Sequence, residues 1–393
     1  MVIGIFSDTY EPDLNGVATA TKVLRDTLRN HGHTVILITT GLPHQKDFSF
    51  EDGIRRIPGR TLRFLYGYRR SWIYNSAAYK ELSKIHFDVF HIQQEFGISI
   101  FGRICASQFH VPIVYTYHTS YPDYSAYLSG GKKIPDALAK KAIVSLVKKI
   151  VSRRGEIITP SKKSRRLLES YGLRRFVNVI PNALDLTPFY QEKDREREKS
   201  FKKAHDLSGK RILLYLGRIS QEKNIRELLE GFCLYKTRYQ DEKTILLLVG
   251  SGPHLEDFKE EAKRLPFPKD ILFYGPVPHE DTCFFYQLCD AFINASTSET
   301  QGLTYNEARA SKAIVIAHYD DNLIDLIKDG ETGYFFDDRE TRADKINTCL
   351  RRTEEEKEQR REKAKQKNAY FCSPERFYQK IIHVYQKAIR HQY

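Results

Sequence analysis

Ala291-Phe292-Ile293-Asn294-Ala295-Ser296-Thr297-Ser298-Glu299-Thr300-Gln301-Gly302-Leu303-Thr304-Tyr305-Asn306-Glu307-Ala308-Arg309-Ala310-Ser311-Lys312-Ala313-Ile314-Val315-Ile316-Ala317 is the stretch whose reading decides the fold. An apolar strand (Ala291 to Ile293) runs through a small polar loop into a short helix and then into a second apolar strand (Ile314 to Ala317). Strand, loop, helix, strand is a parallel α/β unit. Ligands of such units collect outside the carboxyl ends of the strands, and an anion sits on the free N–H groups that open a helix. Here that corner is Gln301-Gly302-Leu303-Thr304, framed by the carboxylates Glu299 and Glu307. Thr304-x-x-Glu307 also has the form of a capping box, which needs no ligand.

Similar units recur outward from this one. Val2 to Phe6 is a continuous apolar run, as expected for a strand buried on both faces. Asn15-Gly16 opens a helix with Val17, Ala20, Val23, Leu24 and Leu28 at helical spacing, Gly32 closes it, and Val35 to Thr39 is the next strand. This start has no Gly-x-Gly-x-x-Gly, which argues against a nicotinamide cofactor. Strands follow at Asp88 to Gln93 and Pro112 to Tyr117, the latter running into His118-Thr119-Ser120-Tyr121-Pro122-Asp123-Tyr124. A charged tract, Gln191 to Arg211, separates this half from another. There Arg211 to Leu216 is a strand followed by Gly217, Arg218 and Lys223, two cations beside a helix start and so a candidate diphosphate clamp. Thr244 to Gly250 ends in Gly-Ser-Gly-Pro, a tight turn without the Lys-Ser/Thr of a Walker motif. Ser373-Pro374-Glu375 caps a last helix.

The chain has 393 residues, 41% of them hydrophobic and 12% aromatic, enough for two folded domains. Its six cysteines lack metal-ligand spacing and read as free thiols, and no Asp-x-Asp metal site is evident. No apolar run has membrane-spanning length, and Met1 leads straight into a strand, so a cytosolic protein is expected. The net charge of +13 favours an anionic partner. Two segments concentrate it. Thr61 to Phe87 interleaves Arg63, Arg69, Arg70, Lys80 and Lys84 with Phe64, Tyr66, Tyr68, Trp72, Tyr74 and Tyr79, and Lys132 to Arg154 carries eight Lys or Arg against Asp136 alone. In the latter, Ile143, Val147 and Ile150 share one helical face and Lys141, Lys148 and Ser152 the other. Both suit the surface of an anionic bilayer. The alternatives are packed aromatic or apolar faces with solvated lysines, or stacked nucleic acid, for which no recognition motif is present.

Glu299-x7-Glu307 resembles the signature of retaining glycosyltransferases with the GT-B fold, and Thr300-Gln-Gly-Leu-Thr-Tyr305 resembles the diacylglycerol glucosyltransferases in particular. Gly217-Arg218-x4-Lys223-Asn224, the His118 to Tyr124 loop, Ile180-Pro-Asn-Ala-Leu-Asp185, Ile271 to Pro278 and Lys328-Asp-Gly-Glu-Thr-Gly-Tyr-Phe-Phe336 resemble further motifs of that family, in its order and over almost the full chain. The resemblance implies an α/β protein of two Rossmann-like domains facing across a cleft. Residues 1–182 would be the acceptor and membrane-facing domain, 183–370 the nucleotide-sugar domain, and 371–393 a helix crossing back.

It further implies a UDP-glucose donor, a diacylglycerol acceptor and an anionic phospholipid surface on the inner face of the cell membrane, with no nucleic acid, no bound metal and no tightly held cofactor, magnesium acting at most by screening phosphates. Carried over by motif, Arg218, Lys223, Gly302 and Leu303 would hold the diphosphate and Gly16 would close over it. Glu299 would hold the sugar, Glu307 the ribose, Val277 the uracil, and His118 would orient sugar or acceptor. Lys312 and Ile314 stand where many relatives have glycine and proline, and Asp320-Asp321-Asn322 replaces a glycine-rich loop, which loosens the inference about nucleotide and sugar. Other readings are a transferase with another acceptor or donor, an adaptor on an inactive scaffold of this fold, and a nucleic-acid binder.

Overall fold

The apolar run after Met1 forms β1 (Val2–Ser7), buried on both faces at the centre of an eight-stranded sheet. A computed structural model describes residues 1–13, 15–62, 68–118, 141, 144–145, 147–148, 150, 155–297 and 301–391. They divide into two units, Met1–Leu184 with Ser373–Tyr393, and Asp185–Cys372.

In the first unit β1 is followed by α1 (Gly16–Asn30), β2 (Thr34–Thr40), the short strands β3 (Ser49–Glu51) and β4 (Ile54–Ile57), and an antiparallel ribbon of β5 (Gly59–Leu62) and β6 (Tyr68–Ser71). Then come α2 (Ser76–Leu82), β7 (Val89–Ile92), α3 (Gly97–Phe109), β8 (Ile113–Thr116), β9 (Glu156–Thr159), α4 (Lys162–Ser170) and β10 (Asn178–Val179). The sheet order is β10-β9-β8-β7-β1-β2-β4-β3, parallel throughout except for β3.

The second unit contains α5 (Arg195–Ala204), β11 (Arg211–Leu216), α6 (Ile225–Tyr239), β12 (Thr244–Val249), α7 (Leu255–Lys263), β13 (Ile271–Gly275) and α8 (Thr282–Leu288). It continues through β14 (Ala291–Asn294), α9 (Leu303–Ala310), β15 (Val315–His318), β16 (Tyr334–Phe336), α10 (Arg339–Leu350) and α11 (Glu354–Phe371). Its six strands are all parallel in the order β13-β12-β11-β14-β15-β16. Each sheet therefore reverses its strand order once, between β1 and β7 in the first unit and between β11 and β14 in the second. Loops diverge there, and ligands bind there in open parallel sheets.

The last helix, α12 (Pro374–Arg390), belongs to the first unit. Ser373 Oγ accepts from Arg376 N at 3.4 Å and Pro374 occupies the first turn, so the helix starts sharply. Phe377, Ile381, Val384, Tyr385 and Ala388 form its buried stripe, packed with Ile3, Ile5, Leu24, Leu28 and Val89 on one face of the sheet. The opposite face is covered by α2, α3 and α4, together with Val147 and Ile150.

That last contact changes the reading of the basic segment 132–154. Val147 is in the core and Ile150 packs against it, while Lys141 and Lys148 are exposed. Among its described residues, the apolar ones are used by the protein and the lysines face outward. Ile143 and Ser152 lie outside the described residues. In the 61–87 segment Arg69 is buried, donating to Asp13 Oδ1 at 2.7 Å and to the Gly41 carbonyl, and so anchors the ribbon. The three residues that follow it, Trp72, Ile73 and Tyr74, are exposed, Trp72 to 66%.

Because α12 contributes a full face of the first core, Ile381→Ala should lower stability by about 2–5 kcal/mol. Urea unfolding of the whole chain checks this, and an unchanged midpoint would mean that the helix does not carry that core.

Candidate active site

In the second unit the turn after β11 is shaped by backbone packing. Gly217 N donates to Val249 O and Ile219 N to Ser251 O, both at 3.0 Å. A Cβ on Gly250 would stand 1.9 Å from Gly217 O, and one on Gly252 2.0 Å from Ile219 O. The Gly-Ser-Gly turn is thus glycine-rich because a neighbouring backbone lies against it, and the Arg218 segment takes its course from that contact. Tyr215 Oη donates to the Arg218 carbonyl at 2.7 Å, fixing the residue from below.

Lys223 ends a 3₁₀ turn (Gln221–Lys223), and Asn224 (φ 53°) leads into α6. The Asn224 side-chain amide donates to Ala295 O at 3.0 Å, and Lys223 Nζ lies 3.5 Å from Ser296 Oγ. Both contacts cross from the β11 loop to the β14 loop, which is the point where the strand order reverses. The cation of the proposed clamp therefore lies beside the segment that enters the signature loop. Glu299 falls in 298–300, outside the described residues.

Gly302 stands at φ 71°, and a Cβ there would meet the Tyr305 ring at 2.5 Å, so the corner requires glycine. The helix starts at Leu303 with no side-chain cap hydrogen bond. Thr304 lies inside the helix, and the capping-box reading of Thr304 and Glu307 fails: the left-handed turn at Gly302 sets the start two residues earlier. Asn306 Nδ2 donates to Gly302 O at 3.2 Å, Asn368 Nδ2 donates to Asn306 O at 2.7 Å, and Cys372 Sγ donates to Asn306 Oδ1 at 3.3 Å. Arg309, fully buried, donates to Leu326 O at 2.5 Å and Ala364 O at 2.8 Å. Burial pushes its guanidinium down to about 10, still a cation at neutral pH. These bonds lock α9 to α11, and the sequence carried no local sign of them.

Glu307 is buried and held on both oxygens, Oε1 by His279 Nε2 at 3.2 Å and Oε2 by Tyr286 Oη at 3.1 Å. Burial, and then the Glu307 charge, keep the Tyr286 hydroxyl protonated well above its ordinary range, so it donates. His279 follows half-buried Val277 by two residues, which ties the Val277 loop to Glu307. Neither His279 nor Tyr286 was singled out from the sequence.

In the first unit Gly16 is the first residue of α1, exposed, with Asn15 as the cap. Asn15 Oδ1 accepts from Val17 N at 3.1 Å and Ala18 N at 3.0 Å, so two of the opening amides are already taken. Across the reversal point, Thr9 N donates to Gln94 Oε1 at 3.0 Å. Asp8, fully buried, accepts from Ile98 N, Ser99 Oγ and Phe96 N and fixes the start of α3. His118 follows β8, is buried, and bonds through Nε2 to Gln93 Oε1 at 2.7 Å. Thr119 to Tyr124 lie outside the described residues. Among the described residues no group of three His, Cys, Asp or Glu side chains is placed to hold a metal ion.

Two open sheets, parallel but for one edge strand and each with polar side chains at the loops where its strand order reverses, have the architecture of the GT-B fold, and on two family models and two close relatives the chain belongs to the GT-B glycosyltransferases. Residues 14–187 match Glycosyltransferase Family 4, and residues 196–367 match Glycosyl transferases group 1. Among its relatives are two α-monoglucosyldiacylglycerol synthases. That of Streptococcus pneumoniae is 35% identical over 86% of this chain and 75% of its own length, and that of Acholeplasma laidlawii is 32% identical over 86% of each. The fold is shared with Anabaena HepE in complex with UDP and glucose, at a TM-score of 0.74 and 15% identity over 98% of this chain and 100% of that one. It is shared too with sucrose-phosphate synthase from Thermosynechococcus elongatus, at 0.77 and 19% over 99% of each chain.

Burial lowers His118 from 6.5 to about 4, and burial together with the nearby His118 lowers His91 from 6.5 to about 3. Both bind protons less tightly folded than unfolded, so the unfolded chain takes up protons first as pH falls. Their contribution to stability is complete above 6.5 and declines towards about 4 and about 3. His31, raised by the Thr27 carbonyl and by Glu375, acts in the opposite sense from a half-buried position. The urea midpoint should therefore fall as pH drops from about 6.5 to about 5, above the usual carboxylate range. A flat midpoint over that window would overturn the assignment of two neutral histidines.

Proposed function

We propose that this chain transfers glucose, with retention, from UDP-glucose to the free hydroxyl of 1,2-diacylglycerol at an anionic membrane surface, giving an α-monoglucosyl lipid. The observation that carries the reading is the crossing at the β11/β14 reversal, where Lys223 and Asn224, on the loop that also carries Arg218, meet the exit of β14. Breaking the bond between the anomeric carbon and the diphosphate builds negative charge on the leaving oxygen. Arg218, Lys223 and the N–H groups of Gly302 and Leu303 would stabilise that charge, usually the largest single contribution to such catalysis.

Glu299 would hold the sugar hydroxyls. Glu307, with lone pairs left beyond those used by His279 and Tyr286, would take the ribose, and the backbone at Val277 would read the uracil. Gly16 would close on the phosphates and His118 would orient the sugar or the acceptor. The scheme uses no tightly bound cofactor, and magnesium would act by screening phosphates. The names of the two synthases support glucose and diacylglycerol.

Diacylglycerol stays in the bilayer, so the enzyme must work on its surface, as a peripheral protein of the inner face. Exposed Trp72, Ile73 and Tyr74, exposed Lys141 and Lys148, and a net charge of +13 support this. Among the described residues no helix is long and apolar enough to cross a membrane.

Mixed micelles of diacylglycerol and an anionic phospholipid, offered UDP-glucose and UDP-galactose separately, test the reaction through UDP release and lipid product. An α-glucosyl lipid that disappears in Glu299→Ala is the expected result, with kcat reduced by roughly 10²–10³ in Arg218→Ala and in Lys223→Ala. UDP release without a lipid product would sink the acceptor, and no turnover of either donor would sink the enzyme. Trp72 is the single tryptophan, so emission excited beyond the tyrosine absorption band reports on that position alone. It should shift to the blue on anionic vesicles and stay put on zwitterionic ones, and an unmoved spectrum on both would remove Trp72 from the membrane face.

A further inference from the structure

Gln93 stands next to the end of β7 with its side chain 2% exposed, and the scheme above gives it no task. Its Oε1 is 2.7 Å from His118 Nε2. An amide oxygen only accepts, so that ring nitrogen carries the proton. Among the described residues the amide Nε2 of Gln93 has no hydrogen-bond partner. Gln93 lines a cavity of ≈ 10 Å³, about the room of one water molecule, whose other polar residues are His91, Thr116 and Asn182 and whose remaining lining is apolar. With the amide oxygen towards the imidazole, the ring N–H is the donor of this bond. The reverse would set NH₂ against a lone pair on Nε2, with the proton on Nδ1, which is the tautomer the spectra below distinguish.

His91 cannot compete for this bond. Its Nδ1 is 2.7 Å from Tyr385 Oη and its Nε2 is 2.7 Å from Thr116 Oγ1, so both ring nitrogens are used. The His118 ring makes no second hydrogen bond among the described residues. We propose that Gln93 is a positioning residue that holds His118 with its proton on Nε2, leaving Nδ1 as an acceptor for a hydroxyl of the bound sugar or lipid. This rests on the transferase reading.

The surroundings keep the imidazole uncharged. Burial alone lowers it to about 4. Of the ionisable groups around it, His91 is neutral, Tyr385 on α12 stays protonated well above its ordinary range, and the Glu95 carboxylate is engaged by the Tyr115 hydroxyl. A neutral acceptor such as glutamine orients the ring without drawing a second proton onto it, which a carboxylate in the same place would do.

Gln93→Glu is therefore the decisive variant. A carboxylate at hydrogen-bond distance raises a histidine by about 1–3 pH units, and a protonated ring has N–H at both nitrogens and no acceptor. The acid limb of kcat/KM should move upward by that amount, with activity restored at alkaline pH. Gln93→Met should lower kcat about 10-fold or more without moving the limb or the donor KM. Nitrogen-15 spectra of the imidazoles, with the His118 signal assigned from a His118→Ala sample, read the tautomer without turnover and should show the proton on Nε2 in the native chain. A proton on Nδ1, or an unshifted limb in a Gln93→Glu protein with native circular dichroism, would overturn the proposal. Absence of transfer in the native enzyme would overturn the transferase reading instead, and the spectra would still decide the tautomer.

Discussion

One amide side chain at each reversal of strand order ties together the two loops that meet there. In the first unit Gln94 accepts from Thr9 N, joining the loops after β7 and β1, and in the second Asn224 donates to Ala295 O, joining those after β11 and β14. A parallel sheet has no hairpins to tie neighbouring loops together, and at the reversal point the chains leave in opposite directions. Without a cross-link, the crevice there would vary in width with every loop motion. A buried hydrogen bond of this kind is modest in net stability, about 0.5–1.5 kcal/mol, but it fixes where Arg218, Lys223 and the entry to the signature loop stand. Asparagine and glutamine suit the task because they bridge two loops without burying a charge.

The second unit adds an inner support to this frame. Gly302 turns the chain into α9, Asn306 holds the Gly302 carbonyl, and Asn368 and Cys372 hold Asn306. Arg309 closes the other end of the short helix with two carbonyl bonds. Eight residues of helix would be marginal alone. Tied at both ends to α11, they become a fixed platform, and the amides at the corner keep one direction.

Most strands were legible because each apolar run is covered on both faces. Val2 to Phe6, Arg211 to Leu216 and Thr244 to Val249 need no partner information to be read as buried and parallel, and two such halves in sequence give the fold class. The corner at Gly302 was legible as a place, through its spacing from Glu307, but not as a geometry. Thr304 and Glu307 satisfy a local capping pattern, yet the left-handed glycine before them decides where the helix begins. The partners of Glu307 and Asn306 come from positions 21, 28, 62 and 66 residues away, and no local signal carries such contacts. The basic segment 132–154 was ambiguous for the same reason: its apolar face suits a membrane or a sheet equally well, and only the packing of Val147 and Ile150 separates the two.

The membership of α12 in the first unit has a consequence for how the protein is made. The second unit, Asp185–Cys372, is an insertion within the first, whose core is incomplete until Phe377 to Ala388 have been translated. At ordinary ribosome speeds the face formed by Ile3, Ile5, Leu24 and Val89 waits on the order of ten seconds or more for its cover. During that interval the inserted unit completes its own continuous segment first, and the strands made earliest are the last to be sealed.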